Sequence, residues 1–285
     1  MRQYVVDAFT NKIFSGNQAA VCVVDDWPDD ALMRSIATEN NFSETAFVRP
    51  APDAGDSTPG AGSDAPDGAG SGTAGGAYEL RWFTPEGEID FCGHATLASG
   101  FVVLTQLEPS LAEARFSTRE VGVIAVRRAG DLFQMDFPVY ELRRVEVTPQ
   151  MEDMLGARVL EAWRARDLVC VLESAQDVRS LAPDLDAIAR RDELLVHVTA
   201  PGEKGSPYDC VTRSFAPKLG IPEDPVCGSG HCHVLPYWAD NLGKRELVAY
   251  QASRRGGTLF GRVAGDGRCV ISGAAALFSV AELMV

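Results

Sequence analysis

Two stretches of this sequence place an acid, a thiol and glycines at the entrance to an apolar segment. One reads Glu223-Asp224-Pro225-Val226-Cys227-Gly228-Ser229-Gly230-His231-Cys232-His233. The other reads Ile89-Asp90-Phe91-Cys92-Gly93-His94-Ala95-Thr96-Leu97-Ala98-Ser99. In each, the Cys-Gly pair opens a stretch of helical composition. The first N–H groups of a helix have no partner within it, and the helix dipole favours negative charge there. A carboxylate can therefore dock on the N–H groups of Gly93-His94 and Gly228-Ser229. Gly93, Gly228 and Gly230 let a ligand approach the backbone closely. A thiol at such a place is expected to have a lowered pKa, with the thiolate accessible near neutral pH. If the two helices face each other, one pocket gains two anion-binding ends and two thiols, Cys92 and Cys227.

A third element is Asn40-Asn41-Phe42-Ser43-Glu44-Thr45-Ala46-Phe47, with Glu44 between a helix and a strand. Taken alone, Glu44 reads as a solvated acid, as most charged residues are. The two Cys-Gly entrances fall near equivalent points of the two halves of the chain, which suggests an internal duplication of low identity. Cys227, His231, Cys232 and His233 fit no common zinc spacing, and on a helix Cys232 points away from the neighbours of Cys227, so no metal is expected. Cys232 and His233 read as packing residues. A thiol peptidase lacks a third member beside Cys92 and His94. Cys22, Cys170, Cys210 and Cys269 lie in apolar strands and need only a core role.

The elements that must position these groups are legible in outline. Strands are predicted at 3–9 and 19–24, and Pro28-Asp29 opens a helix running to Glu39. Residues 50–77 are almost purely Ala, Gly, Asp, Pro, Ser and Thr. Such a segment cannot bury enough apolar surface to offset ordering entropy, so it reads as a disordered insertion in a hairpin between strand-like flanks. A helix rich in small residues is predicted over 93–107. The second half follows the same plan, with strands near 168–172, 194–199 and 208–215 and short helices at 151–155 and 185–190. A helix runs from about Ser229 to Asn241, with Pro236 inside it and Gly243 as its C-cap, and three strands close the chain.

The 285 residues suffice for one large or two medium domains, and 46% hydrophobic with 23% charged residues is ordinary for a soluble globular protein. A net charge of -14 with no basic run argues against nucleic acid. The N-terminal residues lack the long apolar core of a signal peptide. The uncharged stretch 269–281 is too short to span a bilayer. Seven scattered cysteines suit reduced thiols. The expected compartment is the cytoplasm, with no membrane partner.

Five ordered motifs together resemble the PhzF-like (phenazine-biosynthesis) family over nearly the whole chain. They are Gly16-Asn17-Gln18-Ala19-Ala20-Val21, Ser43-Glu44-Thr45-Ala46-Phe47, Arg81-Trp82-Phe83-Thr84-Pro85, the Asp90–Ala98 stretch and the Glu223–His231 stretch. The resemblance implies an α/β (α+β) fold like that of diaminopimelate epimerase. Two pseudo-symmetric halves would each wrap a curled, mostly antiparallel sheet around a central helix, with the active site in the cleft between them. The first half would hold residues 1–115 plus about 272–285, and the second 116–271. The resemblance further implies a homodimer working without metal or organic cofactor on a small carboxylated substrate.

The resemblance also implies roles. The family's acid/base glutamate, which in the phenazine enzyme moves a proton between carbons of dihydro-hydroxyanthranilate, matches Glu44. His94 and Asp224 match the motif histidine and aspartate, and Asn17, Gly228 and Ser229 match binding positions. Gln18 departs from the usual proline. Cys227 stands where many relatives carry Thr or Ala, and with Cys92 it restores the thiol pair of related epimerases and racemases. Moving a proton between carbons on one face needs a single group, whereas inverting a stereocentre needs an acid and a base on opposite faces. The intact Glu44 motif favours a Glu44-centred isomerase. An amino-acid epimerase or racemase using Cys92 and Cys227 is the alternative, and a non-catalytic small-molecule or metal-binding protein is a distant one.

Overall fold

Strands form wherever β-branched and aromatic residues dominate short runs, and the two small-residue runs become central helices. A computed structural model of the chain describes residues 1–52 and 76–285. The expected disordered insertion at 50–77 lies for the most part outside the described residues. In chain order come β1 (Arg2–Ala8), β2 (Asn17–Val23), α1 (Asp30–Asn40), β3 (Thr45–Pro50), β4 (Gly76–Thr84), β5 (Gly87–Ile89), α2 (Gly93–Val102), β6 (Glu113–Ser117), β7 (Val123–Ala129) and β8 (Leu132–Pro138). Then follow β9 (Arg143–Val145), α3 (Pro149–Leu155), β10 (Glu161–Arg164), β11 (Leu168–Val171), α4 (Ala175–Ser180), α5 (Leu185–Ala189), β12 (Val196–Pro201), β13 (Cys210–Ala216), β14 (Ile221–Asp224) and α6 (Gly228–Leu242). The chain ends with β15 (Glu246–Gln251), β16 (Gly257–Val263), β17 (Arg268–Gly273) and β18 (Ala275–Glu282). Four closing strands thus replace the predicted three.

The order of pairing repeats. In the first half β1/β2 is antiparallel, β2/β3 parallel, β3/β4 antiparallel, β4/β6 parallel, and β6/β7 and β7/β8 antiparallel. In the second half β10/β11, β11/β12, β12/β13, β13/β15, β15/β16 follow the same alternation of directions, and β16/β17 closes it. The short strands β5 and β14 hang on β4 and β13 in the same way. The equivalent last strands, β8 and β17, pair with each other and join the two sheets. The low-identity duplication suggested by the two Cys-Gly entrances is preserved in the hydrogen-bond ladders. The last strand, β18, returns to pair with β1.

Each sheet curls around one helix. Strands β1, β2, β3, β7, β8 and β18 pack on α2, so strands from both sides of residue 115 cover it. Strands β12, β15, β16 and β17 pack on α6. Small residues allow this closeness: a Cβ on Gly100 of α2 would lie 2.4 Å from Val126 of β7, and one on Gly261 of β16 would lie 2.4 Å from Leu235 of α6. The predicted helix over 93–107 is present, but beyond Val102 it widens into a π turn, Val103–Leu107, closed by the Glu108 N–H on the Val103 carbonyl. Gly243 ends α6 in the left-handed region, as predicted. Pro236 does lie inside α6 and cannot donate to the Cys232 carbonyl. That carbonyl accepts instead from the Tyr140 N–H at 3.3 Å, which docks the segment after β8 onto α6.

Two predictions follow from this packing. Gly100→Ala adds a methyl against Val126, so despite better helix propensity it lowers unfolding stability by about 1–3 kcal/mol, and pairing it with Val126→Ala recovers part of the loss in urea titration. His231 and His233 of α6 are held neutral by burial, with pKa values pushed down to about 4 and about 3. The unfolded chain therefore binds more protons below pH 6.5, so their contribution is complete above that pH and is lost as pH falls. Stability drops by on the order of 1 kcal/mol per pH unit per histidine from pH 6.5 towards 4, and His231→Gln shallows that slope in urea midpoints read at pH 7 and 5.

Candidate active site

The entrances of α2 and α6 meet. A Cβ on Gly93 would lie 3.8 Å from the Gly228 Cα, and one on Gly228 would lie 3.9 Å from the Gly93 Cα. Cys92 and Cys227 are the N-cap residues of the two helices, both extended. They cap differently. The Cys227 Sγ accepts from the Gly230 N–H at 3.3 Å, whereas Cys92 makes no side-chain cap bond, so the first N–H groups of α2 remain open to a ligand. At Gly93 and Gly228 a Cβ would find ordinary van der Waals contact across the junction, whereas one on Gly230 would strike the His197 ring at 2.5 Å.

Around this meeting point the structure gathers the residues singled out from sequence. Asn17, the first residue of β2, donates its amide N–H groups towards Asp224 Oδ1 at 2.9 Å, the Val226 carbonyl at 3.1 Å and His94 Nδ1 at 3.1 Å. It thereby ties a strand of the first half to the loop leading into α6. His94 Nδ1 faces the Asn17 amide and, at 3.4 Å, the Cys92 thiol. Both are donors, so Nδ1 accepts and the neutral ring carries its proton on Nε2. Nε2 lies 3.2 Å from Glu44 Oε2. Glu44 precedes β3 and is buried rather than solvated, with 8% exposure. The Val226 N–H caps Asp224 Oδ1 at 3.0 Å, and Gln251 clamps the same loop by donating to the Asp224 carbonyl at 2.6 Å and accepting from the Cys227 N–H at 2.9 Å.

Three polar atoms here are buried and have no hydrogen bond of proper geometry among the described residues: Asn17 Oδ1, Glu44 Oε2 and His94 Nε2. Leaving such atoms unpaired costs roughly 1–3 kcal/mol each, so their convergence marks a place built for a guest. Gly93, Asp224 and Ser229 are partly exposed and form the mouth.

The thiols correct the sequence reading. Position at a helix N-terminus was expected to lower their pKa. Burial instead pushes Cys92 well up, and the Glu44 carboxylate adds to the rise. Burial does the same for Cys227, aided by Asp224. Desolvation of the charged form and two nearby carboxylates outweigh the helix dipole. Burial also raises the Asp224 carboxyl; His94 opposes the shift and Glu44 reinforces it.

Among the described residues two trios have ligand atoms within 4.8 Å of one another: Glu44, Cys92 and His94, and Asp167, His197 and His233. In the first, the proton on His94 Nε2 and the protonated thiol suit proton transfer better than metal coordination. In the second, Arg166 holds both oxygens of Asp167, at 3.0 and 2.6 Å, so a cation would meet a guanidinium first. The zinc-like set of Cys227, His231, Cys232 and His233 does not converge: His231 Nδ1 bonds the Cys227 carbonyl at 2.7 Å, Cys232 Sγ turns to the Gly228 carbonyl, and His233 turns towards Asp167. His233 is thus more than the packing residue it seemed. No sequence motif marks Arg166, Asp167, His197 or Gln251.

A family profile described as phenazine biosynthesis-like protein (PhzC-PhzF) matches residues 6–281. An uncharacterized isomerase of Pseudomonas aeruginosa is 40% identical over 96% of this chain and 95% of its own length. An uncharacterized isomerase of Halalkalibacterium halodurans is 39% identical over 90% of this chain and 88% of its own. The crystal structure of a PhzF-family protein from Enterococcus faecalis superposes with a TM-score of 0.87 at 39% identity, covering 100% of this chain and 99% of that one. In fold alone the likeness extends to a hydroxyproline epimerase of Agrobacterium vitis, with a TM-score of 0.58 at 11% identity over 99% and 90% of the chains. Duplicated sheets wrapped on facing helices, and a match that runs almost from end to end, make this chain an isomerase of the PhzF phenazine biosynthesis-like family, with the diaminopimelate-epimerase-like fold.

Proposed function

We propose that the protein moves a proton between carbons of a small carboxylated substrate, with Glu44 as the group that takes and returns it. The observation that carries this reading is the buried, unpartnered Glu44 Oε2 beside the His94 Nε2–H, at the junction of two helix N-termini. The substrate carboxylate docks on the N–H groups of Gly93-His94 and Gly228-Ser229, where both dipoles favour it. Glu44 then removes a proton from one carbon. The electron pair of that C–H bond shifts along the substrate's unsaturated system. Glu44 delivers the proton to a second carbon, so no oxidant or co-reactant is consumed. His94 Nε2 lies 3.2 Å from Glu44 Oε2, and Asn17 holds the His94 ring and the Asp224 loop in place. Burial and the neighbouring Glu44 both act to raise the Asp224 pKa, so the site disfavours two full negative charges side by side. The Pseudomonas aeruginosa and Halalkalibacterium halodurans relatives carry the name isomerase, which agrees with this reaction class.

The thiol-pair epimerase remains the second reading, because Cys92 and Cys227 occupy the N-cap positions of the two facing helices. It is disfavoured by their burial, which holds both thiols protonated, and by the capping duty of Cys227. A homodimer fits the exposed Phe14–Phe278 contact and Val280 on the outer strand β18, which would gain cover from a second copy.

Solvent-deuterium exchange followed by NMR tests the choice, with amino acids and dihydro-hydroxyanthranilate as candidate substrates. Glu44→Gln is expected to slow exchange about 10²–10⁴-fold, while the Cys92→Ala/Cys227→Ala variant keeps it within about tenfold. Exchange at an α-carbon with inversion, lost in the thiol variant and kept in Glu44→Gln, overturns the proposal.

A further inference from the structure

The repeated pairing order sets the two halves in residue-by-residue correspondence. Cys92-Gly93-His94 at the α2 entrance matches Cys227-Gly228-Ser229 at the α6 entrance. Asn17 opens β2, and Asp167 immediately precedes β11. Ala20 pairs with Thr45, so Glu44 falls opposite Ala19, two residues beyond Asn17. Val169 pairs with His197, two residues beyond Asp167. The group Asn17, Glu44 and His94 therefore has a counterpart on the other wall of the cleft: Asp167, His197 and Ser229.

This second group is built and buried. Asp167 and His197 are wholly inaccessible, and Asp167 Oδ2 lies 2.9 Å from His197 Nε2. Ser214 bonds the other ring nitrogen of His197 at 3.0 Å. Burial acts to raise the Asp167 pKa, but the bonds from His197 and Arg166 outweigh it and hold the carboxylate ionised. The feature without a counterpart in the first half is Arg166. Its Nε and Nη2 grip the two oxygens of Asp167, and Nη2 also reaches Ser229 Oγ at 3.1 Å. Its guanidinium carbon sits 5.1 Å from the centre of the Tyr140 ring. Tyr140 in turn stacks on His233 at 3.9 Å, in the place made by Pro236. His233 Nε2 is buried without a hydrogen-bond partner, 3.7 Å from Asp167 Oδ2. Arg166 Nη1 donates to none of the described residues, and the side chain is 32% exposed. Phe91, Tyr140 and Ser229 line a groove of about 560 Å³ beside it.

A guanidinium fixed by a buried carboxylate, stacked on an aromatic face and aimed at a helix N-terminus is preorganised for an anion. We propose that Arg166 is the cationic anchor of the substrate carboxylate, which it takes together with the Ser229 hydroxyl and the N–H groups at the α6 entrance. Asp167 and His197 are positioning residues that hold the guanidinium. This rests on the carboxylate-docking reading above, and it sets specificity: acids bind more tightly than their neutral amides.

Ligand binding without turnover tests it, so its failure is separable from failure of the Glu44 chemistry. Benzoate is titrated against the full chain by NMR, with benzamide as the uncharged counterpart. Arg166→Gln is expected to weaken benzoate about 10- to 100-fold and to leave benzamide unchanged. Arg166→Lys keeps the charge but loses the two-point grip, and is expected to fall between the two. Equal weakening of benzoate and benzamide would show a merely structural role. That result, an unchanged benzoate affinity in Arg166→Gln, or no benzoate binding by the wild type would each overturn the proposal.

Discussion

Two helices that point their N-termini at the same spot bring like partial charges together. Each end carries roughly half a positive charge and several N–H groups without internal partners. The meeting of α2 and α6 at Gly93 and Gly228 is therefore tolerable only with negative charge or hydrogen-bond acceptors in the gap. Much else in the structure answers that demand. Asp224 and Glu44 border the gap, the Cys227 sulfur caps one N–H, and a substrate carboxylate completes the set.

The same constraint explains why the walls are so heavily braced. Asn17 crosses from β2 to the α6 entrance, and Gln251 clamps the backbone on both sides of Pro225-Val226. Bulk is excluded at Gly230, where a Cβ would strike the His197 ring, while Gly93 and Gly228 face each other across the junction at contact distance. The buried Phe9 lies against this junction with a positive φ of 62°, a costly conformation for an aromatic residue. A Cβ on Gly273 would lie 2.4 Å from its ring. Strain of this kind persists only where the surroundings dictate it.

Duplication turned one device into two unlike walls. The pairing ladders of the halves match, yet the residues at matching positions diverged from Asn17, Glu44 and His94 to Asp167, His197 and Ser229. One wall keeps unpaired atoms suited to proton transfer. The other satisfies its buried carboxylate with a histidine and an arginine and keeps a fixed positive charge. The asymmetry suits a reaction in which one carboxylate does the acid/base work and the opposite face holds the substrate.

Local chemistry alone determined a good deal. The capping residues Asp29 and Gly243, the small-residue helix after Cys92, the strands flanking the composition break at residue 50 and the two Cys-Gly entrances were all legible, because each depends on neighbours a few residues away. The ordered motifs also pointed to the family and its fold. What only the tertiary structure decided depends on distance in space. Glu44 and the thiols read as a solvated acid and lowered-pKa nucleophiles until burial reversed both readings, since desolvation is set by what packs around a group. Arg166, Asp167 and His197 carry no local signal, because their meaning comes from a carboxylate 30 residues from its histidine and a guanidinium 63 residues from its serine. Sequence sets which groups are present and how the backbone runs between them; the fold alone sets which of them share a dielectric and a hydrogen bond.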